Sequence, residues 1–369
     1  MKLKRMTKVI RIGGFSQIHP VFIGGEYPIV IQTMYKDRLS LSSIDETVKK
    51  IEALQSLGCG LLRFAVPDIQ SAQVFGSLCE MVTMPLCADI HFDYKIALRC
   101  MDFPVSKIRI NPGNIGSKDK VRAVLEKAAA KNIPIRIGVN AGSLPNDLQK
   151  RIDENGIAPC EALVEAAERE IAIFNEFGFG DFLVSMKACT IADNVKAGRL
   201  LSQRTDAPLH IGVTEAGPLT AGVARNTAAI LTLLNEGIGD TVRVSLSDTM
   251  ESEIIAGREI AAAAAQFSPE NKRLSLRGVN IVSCPRCGRH SFDTHAFTDR
   301  WMHTLYAMDK NITVAVMGCE VNGPAEAKHA SLGITGAGDK VLIFKHGKII
   351  RTITADKADT IFKEELKKL

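Results

Sequence analysis

Near the carboxyl end of the chain, three cysteines and a glutamate have types and spacing suited to metal chemistry. Cys284-Pro285-Arg286-Cys287 is a Cys-x-x-Cys pair, and Gly318-Cys319-Glu320-Val321-Asn322-Gly323-Pro324-Ala325-Glu326 follows. A third thiol about thirty residues beyond such a pair is a metal-ligand spacing. Three thiolates can hold three corners of a four-iron cluster. The fourth corner then needs another donor, and Glu326 is the nearest candidate. An oxygen on iron exchanges more readily than a thiolate, which would let the fourth iron be offered to a substrate. Spacing alone leaves two other readings open, a zinc knuckle completed by His290, His295 or His303, and a redox thiol pair.

The remaining composition sets limits. The chain has 369 residues, with 46 Lys+Arg against 41 Asp+Glu and a formal net charge of +5. So mild a surplus fits an anionic substrate or an acidic protein partner and does not call for nucleic acid. One Trp and four Tyr leave little for a base-stacking surface. Nine cysteines, odd in number and scattered, are no disulfide framework. Cys59, Cys79, Cys87, Cys100, Cys160 and Cys189 are expected to stay reduced inside a cytosolic core. The basic start, Met1 to Met6, is followed by no long apolar run. The expectation is a soluble, cytoplasmic protein without signal peptide or membrane span.

Elements must bring such groups together, and the chain has a regular rhythm. A short hairpin over Lys8–Gly13 and Val21–Gly25 opens it. Eight apolar runs then alternate with amphipathic stretches: Ile29–Met34, Leu61–Pro67, Leu86–Phe92, Ser106–Asn111, Pro134–Asn140, Phe182–Ala188, Leu209–Glu215 and Thr241–Ser247. Ser43–Leu57, Lys118–Lys131 and Glu161–Phe177 are the clearest helices between them. Strands alternating with helices predict a parallel sheet covered by helices. Eight units over about 230 residues match a closed α/β barrel of the TIM type. An open doubly wound sheet is the alternative, but Ile31-Gln32-Thr33-Met34-Tyr35 lacks the Gly-rich turn that would follow its first strand.

Polar residues cluster near the ends of these runs. They are Arg63 and Asp68; Asp89 and His91; Arg109, Asn111 and Asn114; Arg136, Asn140 and Ser143; Lys187; Thr214 and Glu215; and Ser245, Ser247 and Asp248. In a barrel the carboxyl ends of the strands converge on the face that carries the active site. Arg109 and Asn111 are two apart and share a side, as do Arg136 and Asn140. Four cations on four strands (Arg63, Arg109, Arg136 and Lys187) would repel one another in a water-poor mouth unless an anion neutralised them. Guanidinium forks suit phosphate oxygens, so the expected substrate is a phosphate or diphosphate.

An Ala-rich helix from Met250 and a polar break at Gln266–Arg273 place the domain boundary. Residues 1–266 form the barrel, with residues 1–27 its hairpin, and residues 267–369 form a small α+β domain. In the latter we expect a strand over Gly278–Val282, a helix near Phe297–Met308, strands at Ile312–Met317, Leu332–Thr335 and Lys340–Phe344, and a helix over Ala355–Leu369. Gly333-Ile334-Thr335-Gly336-Ala337-Gly338 lacks a following helix and a Walker Lys-Ser pair, and is read as a turn between strands. No internal repeat or low-complexity segment is evident.

Ser283-Cys284-Pro285-Arg286-Cys287-Gly288-Arg289 and Met317-Gly318-Cys319-Glu320-Val321-Asn322-Gly323-Pro324 together resemble the IspG (GcpE) family of 4-hydroxy-3-methylbut-2-enyl diphosphate synthases. Arg109-Ile110-Asn111-Pro112-Gly113-Asn114, Arg136-Ile137-Gly138-Val139-Asn140 and Gly212-Val213-Thr214-Glu215-Ala216-Gly217 extend the resemblance along essentially the whole chain. It implies reductive ring opening and dehydration of 2-C-methyl-D-erythritol 2,4-cyclodiphosphate to 4-hydroxy-3-methylbut-2-enyl diphosphate, in non-mevalonate isoprenoid synthesis. It further implies one [4Fe-4S] cluster on Cys284, Cys287, Cys319 and Glu326, with electrons from flavodoxin or ferredoxin. A homodimer is implied too, the cluster domain of one subunit closing over the barrel of the other. On this reading Arg63, Arg109, Arg136 and Lys187 hold the diphosphate, and Asn111, Asn140 and Ser245 donate hydrogen bonds. Asp89, His91 and Thr214 line the pocket, and Glu215 is the acid that protonates the departing oxygen. Two residues depart from the family pattern. Ala325 stands where Gly is usual, and would be strained by about a kcal/mol if that position had positive φ. Glu320, where an apolar residue is common, is a rival oxygen ligand. The large insert between domains found in plant-type members is absent.

Overall fold

The computed structural model describes residues 5–274, 278–320 and 323–369. The opening hairpin pairs β1 (Ile10–Ile12) with β2 (Val21–Ile23) in antiparallel register. The eight predicted runs all become strands: β3 (Val30–Met34), β4 (Leu61–Ala65), β5 (Leu86–Asp89), β6 (Lys107–Ile110), β7 (Ile135–Asn140), β8 (Phe182–Lys187), β9 (Leu209–Ile211) and β10 (Thr241–Val242). They close a barrel in which β10 pairs with both β9 and β3, and every pairing is parallel. β9 and β10 are shorter than the runs that foretold them. At Gly212 the ends of these strands press together, where a Cβ would lie 2.2 Å from the Arg243 carbonyl oxygen. Beyond that crossing the chain leaves the ladder to form the rim.

The hairpin forms the barrel floor. Its Ile10, Ile12 and Ile23 pack with Val30, Leu61, Cys87 and Leu183, all at or near the amino ends of their strands. An apolar floor leaves the opposite, carboxyl end of the barrel for polar groups. Local signals set the surrounding helices. Asp68 caps the helix Ile69–Met81 by accepting from Ser71 N at 2.7 Å, and Thr249 caps Met250–Phe267. Pro159 opens Pro159–Glu176, where Glu161 reaches back to the Ala158 N–H. A capping bond of this kind contributes about 1 kcal/mol.

The chain divides into two compact units, Met1–Leu276 and Arg277–Leu369. The division falls beyond Gln266–Arg273 because Arg273 belongs to the barrel. Its Nη2 donates to Asp240 Oδ1 at 2.6 Å, and its carbonyl accepts from Ile29 N.

The second unit is a five-stranded sheet in the order β11 (Asn280–Ser283), β12 (Thr313–Met317), β13 (Leu332–Ala337), β14 (Lys340–Lys345) and β15 (Lys348–Thr354). The first three are parallel and the last two form an antiparallel meander. Helices Thr294–Tyr306 and Ala358–Lys367 cover one side through Phe297, Trp301 and Phe362, whose rings pack at 4.9–6.0 Å between centroids. Truncating Phe297 or Phe362, both fully buried, would cost about 3–5 kcal/mol.

One strand goes unforetold here, and one expectation fails. β15 was not foreseen, because it is an exposed edge strand and lacks the alternation that marks a half-buried one. The expected strand at Leu332–Thr335 forms and runs on to Ala337, so the turn read over Gly333–Gly338 is confined to Gly338 and Asp339. Gly333 is required because the Phe344 ring lies over it, 2.0 Å from where a Cβ would stand.

Candidate active site at the barrel mouth and a thiol site in the second unit

The strand register gathers the predicted polar residues. Asp89 pairs with Arg109 and Arg109 with Arg136 across β5, β6 and β7, and Asn140 pairs with Lys187 across β7 and β8. Their side chains line a cavity of about 180 Å³ with Arg63, His91, Thr214 and Ser245. Sequence reasoning missed three lining residues: Met34, Ser185 and Arg243. Arg243 carried a readable signal, since it lies two residues before Ser245 and so shares its side. Lys107, two before Arg109 on the same strand, was missed in the same way. It is fully buried beneath the mouth, its Nζ 3.3 Å from Gln32 Oε1.

Charge is unbalanced in this cavity. Asp89 accepts from Arg109 Nη1 at 3.0 Å, lies 3.3 Å from Arg63 Nε and 3.6 Å from His91 Nε2. Glu253 engages Arg243 Nε at 3.1 Å and also accepts from Thr33 Oγ1 at 2.6 Å. Five lining cations therefore face two carboxylates. Arg136 is 1% exposed, and its Nε and Nη1 have no hydrogen-bond partner among the described residues. Gly138 makes room for Arg109, since a Cβ there would lie 2.4 Å from Arg109 Nε. With its amide oriented to satisfy both ends, Asn140 accepts from Arg109 Nη2 at 3.3 Å.

Proton affinities follow from this crowding. Burial, then Arg63 and Arg109, lowers Arg136 to about 9. Burial, then Arg243, Arg63 and Arg136, holds Lys187 well below the usual lysine range. Lys107 falls to about 7, by burial first and then Arg136 and Arg63 among its lowering influences. Burial would raise Asp89, but Arg63, His91, Arg109 and Arg136 together hold it far down, so it stays ionised. Buried guanidinium forks without counter-ions are a ready anion site, and the incoming charge would relieve their mutual repulsion.

Some expected residues stand apart. Asn111 is buried but does not line the cavity; it precedes the short helix Pro112–Ile115. Behind that helix Glu170 accepts from Gly113 N at 3.1 Å, and burial raises its carboxyl to about 7. Asp68 serves as a helix cap, Ser143 donates to the Asn140 carbonyl at 3.4 Å, and Asp248 binds Ser252 Oγ and Thr249 N. Glu215 does not line the cavity either. It is exposed on the rim beside Thr214, with φ of 51°. An ordinary side chain held in that region is strained by about 1–3 kcal/mol, and such strain clusters at functional sites. Its Oε2 accepts from Cys189 Sγ at 3.2 Å, so its partner is a thiol and not Lys187 or an arginine.

In the second unit, Cys284 and Cys319 lie just beyond the carboxyl ends of adjacent parallel strands, where Ser283 pairs with Val316. Arg286, with φ of 70°, turns the chain so that Cys287 follows in the same loop. All three thiols are free, Cys287 exposed and the others half-buried. Each backbone is pinned. Thr294 Oγ1 donates to the Cys284 carbonyl, His290 N to that of Cys287, and Thr335 Oγ1 to that of Cys319. Gly318 sits among them, its missing Cβ 3.6 Å from Cys284 Sγ and 3.3 Å from His290 Cβ. A side chain there would fill the hollow against the Cys284 sulfur. Among the described residues no three His, Cys, Asp or Glu converge closely enough to hold a single metal ion. Three free thiols on loops at neighbouring strand ends are the type of donor that an iron–sulfur group takes. Glu326 ends the one-turn helix Gly323–Glu326 and is exposed, as is Glu320. Ala325 lies inside that turn and is not among the residues with positive φ, so the strain anticipated there does not arise.

Comparison with known proteins agrees on both units. Residues 14–258 match the GcpE TIM-barrel domain and residues 280–368 the GcpE protein C-terminal domain. The 4-hydroxy-3-methylbut-2-en-1-yl diphosphate synthase (flavodoxin) of Treponema pallidum is 50% identical, over 97% of this chain and 91% of its own. That of Treponema denticola is 47% identical over 99% of each chain. That of Thermodesulfovibrio yellowstonii is 43% identical, again over 99% of each. With both units matched in order and relatives similar from end to end, the chain belongs to the GcpE family.

Proposed function

We infer that the protein is an iron–sulfur oxidoreductase, a 4-hydroxy-3-methylbut-2-enyl diphosphate synthase that converts 2-C-methyl-D-erythritol 2,4-cyclodiphosphate in isoprenoid synthesis. The observation that carries this is the barrel mouth, where five cations meet two carboxylates and Arg136 keeps buried, unpartnered N–H groups. A diphosphate supplies the missing negative charge. A non-redox barrel enzyme with a zinc-stabilised C-terminal module gains no support, since relatives similar over the whole chain carry the synthase name.

The finer assignments rest on this reading. Arg63, Arg109, Arg136 and Lys187 bind the diphosphate, and Asn140, Thr214 and Ser245 orient it by hydrogen bonds. Asp89 holds Arg63 and Arg109 in place. Arg243, fixed by Glu253, adds a fifth cation. Asn111 acts through the backbone it leads into. Cys284, Cys287, Cys319 and Glu326 would hold a [4Fe-4S] cluster, which when bound would pass on two electrons one at a time from the external donor and offer a Lewis-acidic iron. The carboxyl of Glu215 gives its proton to the hydroxyl oxygen that leaves as water. Phe92, 73% exposed on its loop, and Leu41, Ile69, Ile191 and Leu219, each the first residue of a helix that follows a barrel strand, put exposed apolar side chains around the catalytic face. Such a rim suits a cover, and in a homodimer the partner's second unit would provide it while excluding water from the cations. Flavodoxin, named in the relatives, is the proposed electron donor, with ferredoxin as the other candidate. No helix among the described residues is long and apolar enough to cross a membrane, and the proposed location is the cytoplasm.

The test is anaerobic. Protein reconstituted with iron and sulfide should be brown, with broad visible absorbance, and should turn over the cyclic diphosphate only with a reductant. Turnover without reductant, or by protein stripped of iron, would overturn the assignment.

A further inference from the structure

Directly below the barrel mouth the interior is polar, where barrels of this type are packed with branched apolar side chains. Lys107, fully buried, points inward, because its pairing through Cys87 to Arg63 puts all three on one side of the sheet. Gln32 meets it from β3. His210, 1% exposed, belongs to the same interior and pairs with Ser185 and Thr241 on the strands beside β9. Gln32 Nε2, His210 Nε2 and both Nε and Nη1 of Arg136 have no hydrogen-bond partner among the described residues. Buried polar groups left in this way call for a reason.

Negative charge is what this layer lacks. Lys107 Nζ donates to one neutral acceptor, Gln32 Oε1 at 3.3 Å, and forms no ion pair among the described residues. The carboxylates of the cavity are already engaged by arginines, Asp89 by Arg63 and Arg109 and Glu253 by Arg243. Cys87, opposite Lys107 on β5, is a thiol that burial raises, so it carries no charge near neutral pH. On β9, His210 Nδ1 lies 2.5 Å from Thr241 Oγ1, and burial, then Arg136, Lys187, Lys107 and Arg63, keeps that ring neutral. Arg63 on β4 and Arg136 on β7 act on Lys107 with charge of its own sign. Lys187 on β8, Arg109 on β6 and Arg243 on β10 are cations as well. An ammonium here loses its hydration and faces like charge, and the amine accordingly titrates at about 7.

We propose that Lys107 is a charge reserve for the diphosphate site, an uncharged amine in the substrate-free barrel that becomes ammonium when the dianion seats on the arginines above it. The inference rests on the diphosphate reading above and adds a proton to its binding step. In the cyclodiphosphate each phosphorus carries one ester, one anhydride link and one strongly acidic hydroxyl. The ligand is therefore a dianion that does not itself titrate near neutral pH, and the proton comes from solvent to form the third N–H bond on Nζ. Lys107 is a positioning residue, acting through the arginines without touching the ligand. As an amine it spares Arg136 a further repulsion before the anion arrives, and as an ammonium it adds attraction afterwards.

The decisive measurement is calorimetric binding of the cyclic diphosphate to oxidised holoprotein, without reductant, in buffers of different ionisation enthalpy. At pH 7.5 wild type should take up about half a proton per subunit more than Lys107→Met. Wild type should also bind about eightfold tighter than the variant at pH 6.5, the two converging to within about twofold at pH 8.5. A ratio of affinities that stays constant with pH would reveal a structural role only and overturn the proposal. Equal proton uptake by the two proteins would move the proton to Lys187 or His210, again overturning it. Should Lys107→Met not fold, Lys107→Gln takes its place, and absence of proton uptake by wild type at pH 7.5 refutes the idea without any variant. Sulfate, another dianion that does not titrate near neutral pH, is measured in parallel. If sulfate shows the pH-dependent ratio while the cyclic diphosphate does not bind, the functional reading fails and the charge reserve stands.

Discussion

The two sites solve the problem of assembling reactive groups in opposite ways. At the barrel mouth, Asp89, Arg109, Arg136, Asn140 and Lys187 are strand residues in a parallel ladder with fixed register. Their backbones are buried and hydrogen-bonded, so the cations are held together before any ligand arrives. In the second unit, Cys284, Cys287 and Cys319 sit on loops just beyond strand ends and Glu326 ends a one-turn helix, with Cys287 and Glu326 exposed. The first site is complete in geometry and lacks counter-charge. The second has its donors tethered by backbone hydrogen bonds and lacks convergence on a single point. A rigid scaffold suits recognition of a fixed anion, whereas a donor that must exchange with substrate needs a mobile attachment.

Removing one group from each site tests that contrast, beginning with the largest effect. Cys319→Ser should lose bound iron and reduce turnover by more than about a hundredfold. Its barrel should melt unchanged in calorimetry, because Cys319 lies in the other compact unit. Iron content equal to wild type would remove Cys319 from the ligand set. Glu215→Gln tests the one proposed catalytic group that sits on a strained rim and not in the ladder. It should lower kcat by about 10²–10⁴-fold with little change in KM. Full turnover would end its role as the acid.

Arg136→Met probes the rigid site directly. Substrate affinity should fall by about 10²–10³-fold, as expected for truncating a buried charged partner. The substrate-free barrel should gain stability, on the order of 1 kcal/mol, because an unpaired buried charge is gone. Inorganic pyrophosphate at a hundred times its dissociation constant should raise wild-type stability by about 2.7 kcal/mol, and should raise this variant's far less. Equal stabilisation of the two would show that the anion binds elsewhere.

The last prediction touches stability alone and concerns Glu170. Burial raises its carboxyl from 4.5 to about 7 in the folded chain. The folded state therefore keeps a proton that the unfolded state gives up. This contribution is full below the unfolded value and disappears as pH rises to about 7. Glu170→Gln should flatten that slope, worth up to about 3 kcal/mol. Denaturant midpoints at pH 5 and pH 8 measure it, and parallel slopes in both proteins would rule it out.

Much of the barrel was legible because burial writes itself into sequence. Strands covered on both faces read as Val- and Ile-rich runs, and all eight were found that way. Their ends carried the polar residues, so Arg63, Asp89, His91, Arg109, Arg136, Asn140, Lys187, Thr214 and Ser245 could be named before their positions were known. Lys107 and Arg243 were overlooked because each was taken for part of an apolar run, although each lies two residues from one that was named. β15 was invisible for the converse reason: with both faces largely exposed, it carries no periodic signal.

The sequence by itself determined the chemistry: which donors exist, in what order, and that an excess of cations would need an anion. Tertiary structure decided which of those groups meet. It joined Arg63 to Asp89, and Arg243 to Glu253 of the helix Met250–Phe267. It turned Glu215 to the rim against Cys189. It set Asn111 outside the cavity and freed Ala325 from strain. These outcomes depend on register, closure and backbone angle, which arise when distant strands pair, and no local spacing encodes them.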